Sequence, residues 1–436
     1  VSGPGPRYHP AMEDDQGFVS TAADAAKSRV CDHVDELAEV LLATSHDIHA
    51  HPELCYEEHH AHQVLTDVLD QQGLAPVRGA YGMATAFEAR AGSEGPEVAV
   101  LCEYDALPDI GHACGHNIIA AAGLGAGLAG AAVAEELGGR IRIIGTPAEE
   151  GGGGKIRLIE EGAFEGVAAA LMVHPSGSEV ERITSLAVQQ AVVSYTGRAA
   201  HAAAAPEKGL NALDAAVLGY VNVAALRQHI APDERIHGIF TDSGEKANIV
   251  PVRAGANWYA RSPSRSGLED LKLRLAACLR AGAEAAGCGI QIEWIEPSYA
   301  EVLDNRALLD RYTANAALLG RTVLPAVEHQ VVASTDMGNV SYAVPSIHPM
   351  IKSAPAGTAI HTEAFAGFAA SAEADMAVLD GAKAMALTVV ATLGIAYWLF
   401  GDNPAFDNPF GLAVAVIGGL VVGWALGKTA EFYTSD

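Results

Sequence analysis

The chain has 436 residues, half of them hydrophobic, enough for two domains or for one large domain with an insertion. Its 27 Lys+Arg against 53 Asp+Glu give a formal net charge of −26, a surface that repels nucleic acid and anionic lipid and argues against both as partners. Six cysteines (Cys31, Cys55, Cys102, Cys114, Cys278, Cys288) show no paired spacing, which suits reduced thiols in the cytoplasm better than a disulfide framework. The first residues, Val1-Ser2-Gly3-Pro4-Gly5-Pro6-Arg7, lack the basic-then-apolar order of a signal peptide, and also an initiator Met, as in a processed chain or a fragment.

Residues 1–25 are rich in Pro, Gly and Asp and read as a loose arm. From Ala26, apolar residues at Val30, Val34, Leu37, Val40, Leu41 and Ile48 recur at helical spacing, and Pro52 should close that helix. A second helix is expected at 57–72, closed by Gly73. The apolar run at 98–102 reads as a strand buried on both faces, with Glu103, Asp105 and Asp109 gathered at its end. Gly111-His112-Ala113-Cys114-Gly115-His116-Asn117 follows, then a small-residue helix at 118–137. Residues 141–144 repeat the strand signal and run into Pro147-Ala148-Glu149-Glu150 and four glycines. A helix at 155–161 leads to a strand at 168–173 that delivers His174. Strand, polar cluster and helix recur, which predicts an α/β domain with a mixed, mostly parallel central sheet flanked by helices and ligand sites at the strands' carboxyl ends.

From about residue 185 the texture changes. Strands at 188–195, 236–240, 256–260 and 291–295, with helices at 209–229 and 268–287, suggest a compact α+β insert spanning 187–296. The main domain would then occupy 26–186 and 297–387, with a helix near 306–319 and a loop at 334–341.

Cys114 and His116 are donors of the kind that hold zinc or a similar ion. On these two alone, a buried cysteine beside a hydrogen-bonded histidine is an equally good account. The other strand ends extend the inventory to Glu150, His174 and, later, His361. Such a set suits one divalent ion with an open position or two that share donors; Zn, Mn and Co all fit. Adjacent Glu149 and Glu150 can divide the labour, one binding metal and the other taking a proton from the attacking water. Asp105 stands where a carboxylate could orient an imidazole ligand. Singly, the glutamates could be a solvated acidic loop and His174 a capped strand end; their convergence argues otherwise. Gly151 to Lys155 is no phosphate loop, because Ile156 follows the lysine, and the glycines are expected to let the backbone pass close to the metal centre. His59, His60 and His62 read as a solvated helix face, and Asn339 and Ser341 as pocket wall.

His51-Pro52-Glu53-Leu54, Tyr104-Asp105-Ala106-Leu107-Pro108, His112-Ala113-Cys114-Gly115-His116 and Pro147-Ala148-Glu149-Glu150 resemble the aminoacylase/carboxypeptidase family of metal-dependent amidohydrolases. Gly197-Arg198-Ala199-Ala200-His201, Ala247-Asn248-Ile249-Val250-Pro251 and Ile360-His361-Thr362 continue the match, which runs from about residue 30 to 385. Glu103-Tyr104-Asp105 and Ser334-Thr335-Asp336-Met337-Gly338 are most similar to the branch containing p-aminobenzoyl-glutamate hydrolases and β-alanyl-lysine-type dipeptidases. The resemblance implies a hydrolase that cleaves the amide bond of small dipeptides, N-acyl amino acids or aminobenzoyl-glutamate-like compounds with metal-activated water. It implies that Cys114, His116, Glu150, His174 and His361 hold the metal and that Glu149 is the general base. It further implies that the insert is a lid that forms a homodimer, with His201 reaching the tetrahedral oxyanion and Asn248 and Arg261 the substrate carboxylate; Arg261 as a plain surface arginine stays open.

The C-terminal residues differ. Residues 384–401 and 409–427 carry no charge, and each is about long enough to cross a bilayer core. The acidic turn at 402–407 lies between them, with Lys383 and Lys428 on one common side, as in an inserted hairpin. Residues 388–436 resemble a segment of membrane-embedded pyrophosphatases, without those pumps' aspartate-rich motifs. The expectation is an apolar tail that is a membrane hairpin anchoring the chain through 384–427, a chimeric segment, or a helical pair buried in an oligomer. Two alternatives to a hydrolase remain: a non-catalytic binding module on the same fold, or, for the tail alone, a membrane pump component.

Overall fold

The computed structural model of the chain describes residues 12–326 and 332–400. Helix α1 (Met12–Glu36) is followed after Leu37 by α2 (Ala38–Ala50). The loose arm expected at 1–25 is therefore helical from Met12, and the helix expected from Ala26 is broken in two. Ala26, Val30 and Val34 are fully buried in the main core, so tertiary packing overrides the polar composition. Helix α3 (His59–Gln71) follows, and its His62 is buried, edge-on to Phe87, rather than on the solvated face expected.

The chain then forms β1 (Val77–Arg78), β2 (Phe87–Ala91), β3 (Glu97–Glu103), α4 (His116–Ala131), β4 (Arg140–Thr146), α5 (Gly154–Glu160), β5 (Val167–Leu171), β6 (His174–Ser176) and β7 (Thr184–Ser185). Next come β8 (Ala187–Thr196), α6 (Ala212–Leu226), β9 (Arg235–Asp242), β10 (Arg253–Ser262), α7 (Arg265–Ala285) and β11 (Gly289–Tyr299). It closes with α8 (Arg306–Leu318), β12 (Val332–Ala333), α9 (Met337–Ala343), β13 (Ser346–Ile347), β14 (Met350–Lys352), α10 (Glu363–Phe368) and α11 (Ala372–Phe400).

The main sheet has the order β1-β2-β4-β3-β5-β13. Strands β4, β3, β5 and β13 are parallel, while β1 and β2 pair antiparallel at one edge, so the sheet is mixed and mostly parallel as expected. Every residue of β3 is buried, the mark of a strand covered on both faces. Its parallel neighbours carry their carboxyl ends to the same edge, which places the segments after Glu103, Thr146 and Leu171 side by side.

The second sheet, β11-β8-β10-β9, is wholly antiparallel. In β8 and β10 buried residues alternate with more open ones, so Val193, Tyr195, Ala256, Trp258 and Ala260 pack on α6 and α7 in a separate core. The opposite face, carrying Val188, Gln190, Tyr259 and Arg261, turns toward the carboxyl edge of the main sheet across a shared cavity.

Helix α11 runs unbroken through residue 388, where a change of unit was expected. Val389, Val390 and Leu393 are fully buried in the main core, and the Asn315 side-chain amide donates to Thr388 Oγ1 at 3.1 Å. Residues 384–393 are thus apolar because they pack against this protein's own core. The rest of the expected hairpin, 401–427, lies outside the described residues.

Candidate metal centre

Three parallel strand ends and one returning loop build the centre. After β3, Asp105 is fully buried and accepts from the backbone N–H of Glu150 at 2.9 Å, tying two strand ends together. His116 opens α4 behind Gly115, whose φ of +80° and contact with Pro175 (a Cβ would stand 2.7 Å from its Cγ) leave room only for glycine. His116 Nδ1 donates to Asp105, at 2.8 Å to its carbonyl and 3.0 Å to its carboxylate, which leaves Nε2 as a bare acceptor. His174, at the start of β6, donates from Nδ1 to the Pro175 carbonyl at 2.7 Å, so its Nε2 is bare as well and lies 3.4 Å from Cys114 Sγ. Imidazoles fixed through Nδ1 with Nε2 turned inward are the arrangement a metal requires.

Glu149 and Glu150 follow Ala148, a non-glycine residue held at φ 60°. The Ala148 N–H donates to the buried Glu58 carboxylate at 2.8 Å, and Tyr299 donates its hydroxyl to the Glu149 carbonyl at 2.7 Å. The loop is therefore held from both sides in a strained conformation, a common property of functional turns. Gly154 serves that turn: a Cβ there would stand 1.8 Å from the Pro147 carbonyl oxygen, so this glycine answers to its own loop rather than to the metal centre. His361, also at positive φ (61°), is seated by its N–H on the Ala113 carbonyl and brings Nε2 to 3.3 Å from Glu150 Oε1.

Ligand atoms of Cys114, His116 and His174 lie within 4.8 Å of one another, as do those of Cys114, Glu150 and His361. Glu103, His116 and Glu149 form a third such group, all buried. Glu103 Oε1, His116 Nε2 and Glu150 Oε1 are buried with no hydrogen-bond partner among the described residues. Orphaned acceptors converging on one point are costly unless a cation satisfies them. Proton affinities report the same crowding. Burial, then Glu103, Asp336 and Glu150, pushes Glu149 well above the usual carboxylate range. Burial lifts the Cys114 thiol, while for His116 the charges of Glu103 and Cys114 with the Asp105 hydrogen bond overcome burial and raise it. Burial, with His116 beside it, lowers His174 to about 4, which keeps it neutral and able to bind a cation. These residues fit a divalent ion, or two that share donors.

Two buried groups absent from the ligand inventory, Lys155 and His348, complete the surroundings. Lys155 is fully buried and ion-paired to Glu103 and to Asp336 Oδ1, the latter at 2.8 Å. Its neighbours' charges overcome burial and hold it protonated. His348 is buried edge-on to His174 at 5.3 Å between ring centroids, and burial followed by His174 keeps it neutral. Asn339 and Ser341 lie on α9, where a loop was expected, and hold backbone N–H groups of Ala300 and Leu303 rather than the pocket wall.

A cavity of about 520 Å³ opens over the centre, lined by Cys114, Glu149, Glu150, His174 and His361 on one side. Val188, Gln190, Tyr259, Arg261 and Glu296 of the second sheet face them. Arg261 is no plain surface arginine: it is part-buried, donates to Ser334 Oγ at 2.8 Å, and meets no carboxylate among the described residues. His201 and Asn248 are exposed, adjacent to each other across a bridge between His201 and Ile249, and do not line this cavity.

A parallel-sheet edge carrying these donors, an ionisable glutamate pair and a cavity shared with the second sheet are the features of a metal-dependent amidohydrolase of the peptidase type. A family profile matches residues 99–389, and the chain belongs to peptidase family M20/M25/M40. It is 42% identical over 382 residues to the Xaa-Arg dipeptidase of Mus musculus, covering 84% of this chain and 88% of that protein. It is 28% identical to a p-aminobenzoyl-glutamate hydrolase polypeptide of Escherichia coli, covering 87% of this chain and 92% of that one. The fold is also that of a dinuclear metal-binding M20 peptidase of Bacillus subtilis, with a TM-score of 0.64, 19% identity, and 85% and 99% coverage.

Proposed function

We propose that the chain hydrolyses the amide bond of small dipeptides and related N-acyl amino acids, with Cys114, His116, Glu150, His174 and His361 holding one or two divalent ions. The observation that carries this reading is the set of bare Nε2, Sγ and carboxylate oxygens converging beside a second buried glutamate. A divalent ion bound there supplies Lewis-acid polarisation of the scissile carbonyl and makes water acidic near neutral pH. Glu149 takes a proton from the attacking water and passes it to the departing nitrogen; the C–N bond breaks, giving a carboxylate and a free amine. Asp105 fixes the ring of His116, and Arg261, a part-buried cation with no acidic partner among the described residues, holds the substrate's carboxylate.

His201 accepts at Nδ1 from the N–H groups of Ala203 and Ala204, at 3.3 and 3.2 Å, so its Nε2 carries the proton and can donate to an oxyanion. Because it is exposed and does not line its own cavity, we assign it, with Asn248, to the cavity of a second copy. Residues 187–296 then act as a lid through which two copies pair. The edge strand β9 with exposed Ile239 and Phe240, and the outer face of α6 with Val217, Leu218 and Val221, offer the apolar surface for that pairing.

The test is Glu149→Gln. The expected result is a kcat lower by about 10²–10⁴-fold on a dipeptide panel, with bound zinc measured by mass spectrometry unchanged. Activity near the parent level would remove Glu149 as the base.

A further inference from the structure

The three histidines at the start of α3 part company in the fold. His62 is buried and His59 is exposed, whereas His60 meets two residues of the neighbouring helix. Those are Asp47, in the last turn of α2, and His51, the residue that caps it. The Asp47 carboxylate lies between the two imidazoles, with Oδ1 3.0 Å from His51 Nδ1 and Oδ2 3.2 Å from His60 Nε2. The rings stand 4.3 Å apart between centroids, and one donor atom from each of the three residues lies within 4.8 Å of the others. Among the described residues no Lys or Arg pairs with Asp47. None of the three lines the cavity or shares a donor group with the metal centre, and all are open enough to solvent for an ion to reach them.

The two helix ends are held in place by other contacts. The Glu53 carboxylate accepts from the N–H groups of His60 at 2.9 Å and Ala61 at 3.0 Å, which answers the positive end of α3. The carbonyl end of α2 favours a cation beside it, and the Asp47 carbonyl oxygen lies 2.9 Å from His51 Nδ1. Two imidazoles and one carboxylate are donors of intermediate softness, suited to Zn²⁺, Ni²⁺ or Cu²⁺ rather than to Mg²⁺ or Ca²⁺.

We propose that Asp47, His51 and His60 form a second metal site, separate from the metal centre, that takes a borderline divalent ion such as Zn²⁺, with water in its remaining positions. As the ion binds, a nitrogen of each ring turns from proton donor to ligand. The proton passes to the other ring nitrogen or, from a protonated ring, to solvent. The site joins α2 to α3 across the turn that supports the loop after β3. Pro52 packs on Gly111, where a Cβ would stand 3.6 Å from the proline Cβ, and the Ala106 N–H donates to the Glu53 carbonyl at 2.8 Å. An ion there braces the support of the segment that carries Asp105 and Cys114, whatever substrate the cavity takes.

The test equilibrates the full chain with graded free zinc and counts bound metal by mass spectrometry. The expected curve has a tight phase for the metal centre and a weaker phase of about one further ion. His60→Ala and His51→Ala, at solvent-open side chains on different helices, should each weaken the second phase at least about tenfold and keep the first. His174→Ala, at the metal centre, should weaken the first phase and keep the second. With the metal centre filled, zinc at about ten times the Kd of the weaker phase should raise the parent Tm by about 2–3 °C and leave both histidine variants unmoved. A parent that binds no zinc beyond the tight phase overturns the site. So does a weaker phase that persists at parent affinity in either variant, or one that is lost in both only together with the tight phase.

Discussion

Lys155 offers a demanding check on the electrostatics beside the metal centre. It is fully buried, with Glu103 on one side and Asp336 on the other, and its own N–H donates to Asp336 Oδ2 at 2.9 Å. Lys155→Met keeps most of the volume and removes the charge, which leaves two carboxylates buried without a cation. Removing one partner of a buried pair costs about 3–5 kcal/mol. For a cooperative unit of roughly 250 residues that is about 2 °C per kcal/mol, hence a fall in Tm of about 6–10 °C. The deficit should depend on pH in a fixed direction. Burial already raises Asp336 to about 6, with Lys155 pulling against that rise. Without the lysine the folded pKa climbs further above the unfolded value of about 3.9. A carboxyl shifted upward adds stability at low pH and loses it as pH rises through its folded pKa. The variant should therefore be least impaired near pH 5 and most impaired near pH 8. Urea denaturation followed by circular dichroism at those two pH values measures both effects. A cost below about 1 kcal/mol at pH 8, or a deficit that grows on acidification, would refute the argument.

Two further substitutions address the metal and the dimer. Asp105→Asn removes the carboxylate that orients His116 and should weaken zinc binding by about 10–100-fold, read by competition with a chromophoric chelator; unchanged affinity would deny Asp105 that role. His201→Ala should be almost inactive alone, as Glu149→Gln is, and the two mixed should regain up to about a quarter of parent activity. Their hybrid dimer holds one cavity with an intact glutamate from one copy and an intact histidine from the other. No recovery on mixing, with exchange of copies confirmed by light scattering of tagged chains, would return His201 to its own chain.

Among the candidate donors and their neighbours, Asp105, Glu150 and His174 were legible because each follows a strong strand signal within a few residues, whereas Cys114 and His361 lie farther along their loops. Parallel strands end on a common edge, so Asp105, Cys114, Glu150 and His174 group together from strand order alone. The charged network around them was not legible. Lys155 pairs with Glu103 across 52 residues and with Asp336 across 181, and no periodicity encodes such a pairing. Glu296 is one acid among 53 Asp+Glu, distinguished only by the cavity it borders. Strand β2 went unread because Phe87-Glu88-Ala89-Arg90-Ala91 alternates weakly near a sheet edge, and α9 because Gly338, Asn339 and Ser341, just after Thr335 and Asp336, read as turn formers.

Helix α11 shows where a hydropathy argument stops. A stretch of 18 or more apolar residues satisfies a membrane span and a fully enclosed core helix equally well, because both lack a polar face. Among the described residues, Ala372–Gly394 is long and apolar enough to cross a bilayer, yet 67% of its most apolar window is buried inside the protein. What decides the matter over that stretch is a set of neighbours the sequence does not place. Helix α4 brings small side chains against it, α1 supplies Ala26, Val30 and Val34, and α8 supplies Asn315, whose amide meets the polar atom that the helix turns inward at Thr388. Thr388 is satisfied inside the protein, its hydroxyl donating to the Ala384 carbonyl at 2.7 Å while accepting from Asn315, and the apolar residues around it face neighbouring elements of this chain. Helix α11 also packs against β3 and β14, so the apolar stretch through Leu393 belongs to the framework that carries the main sheet.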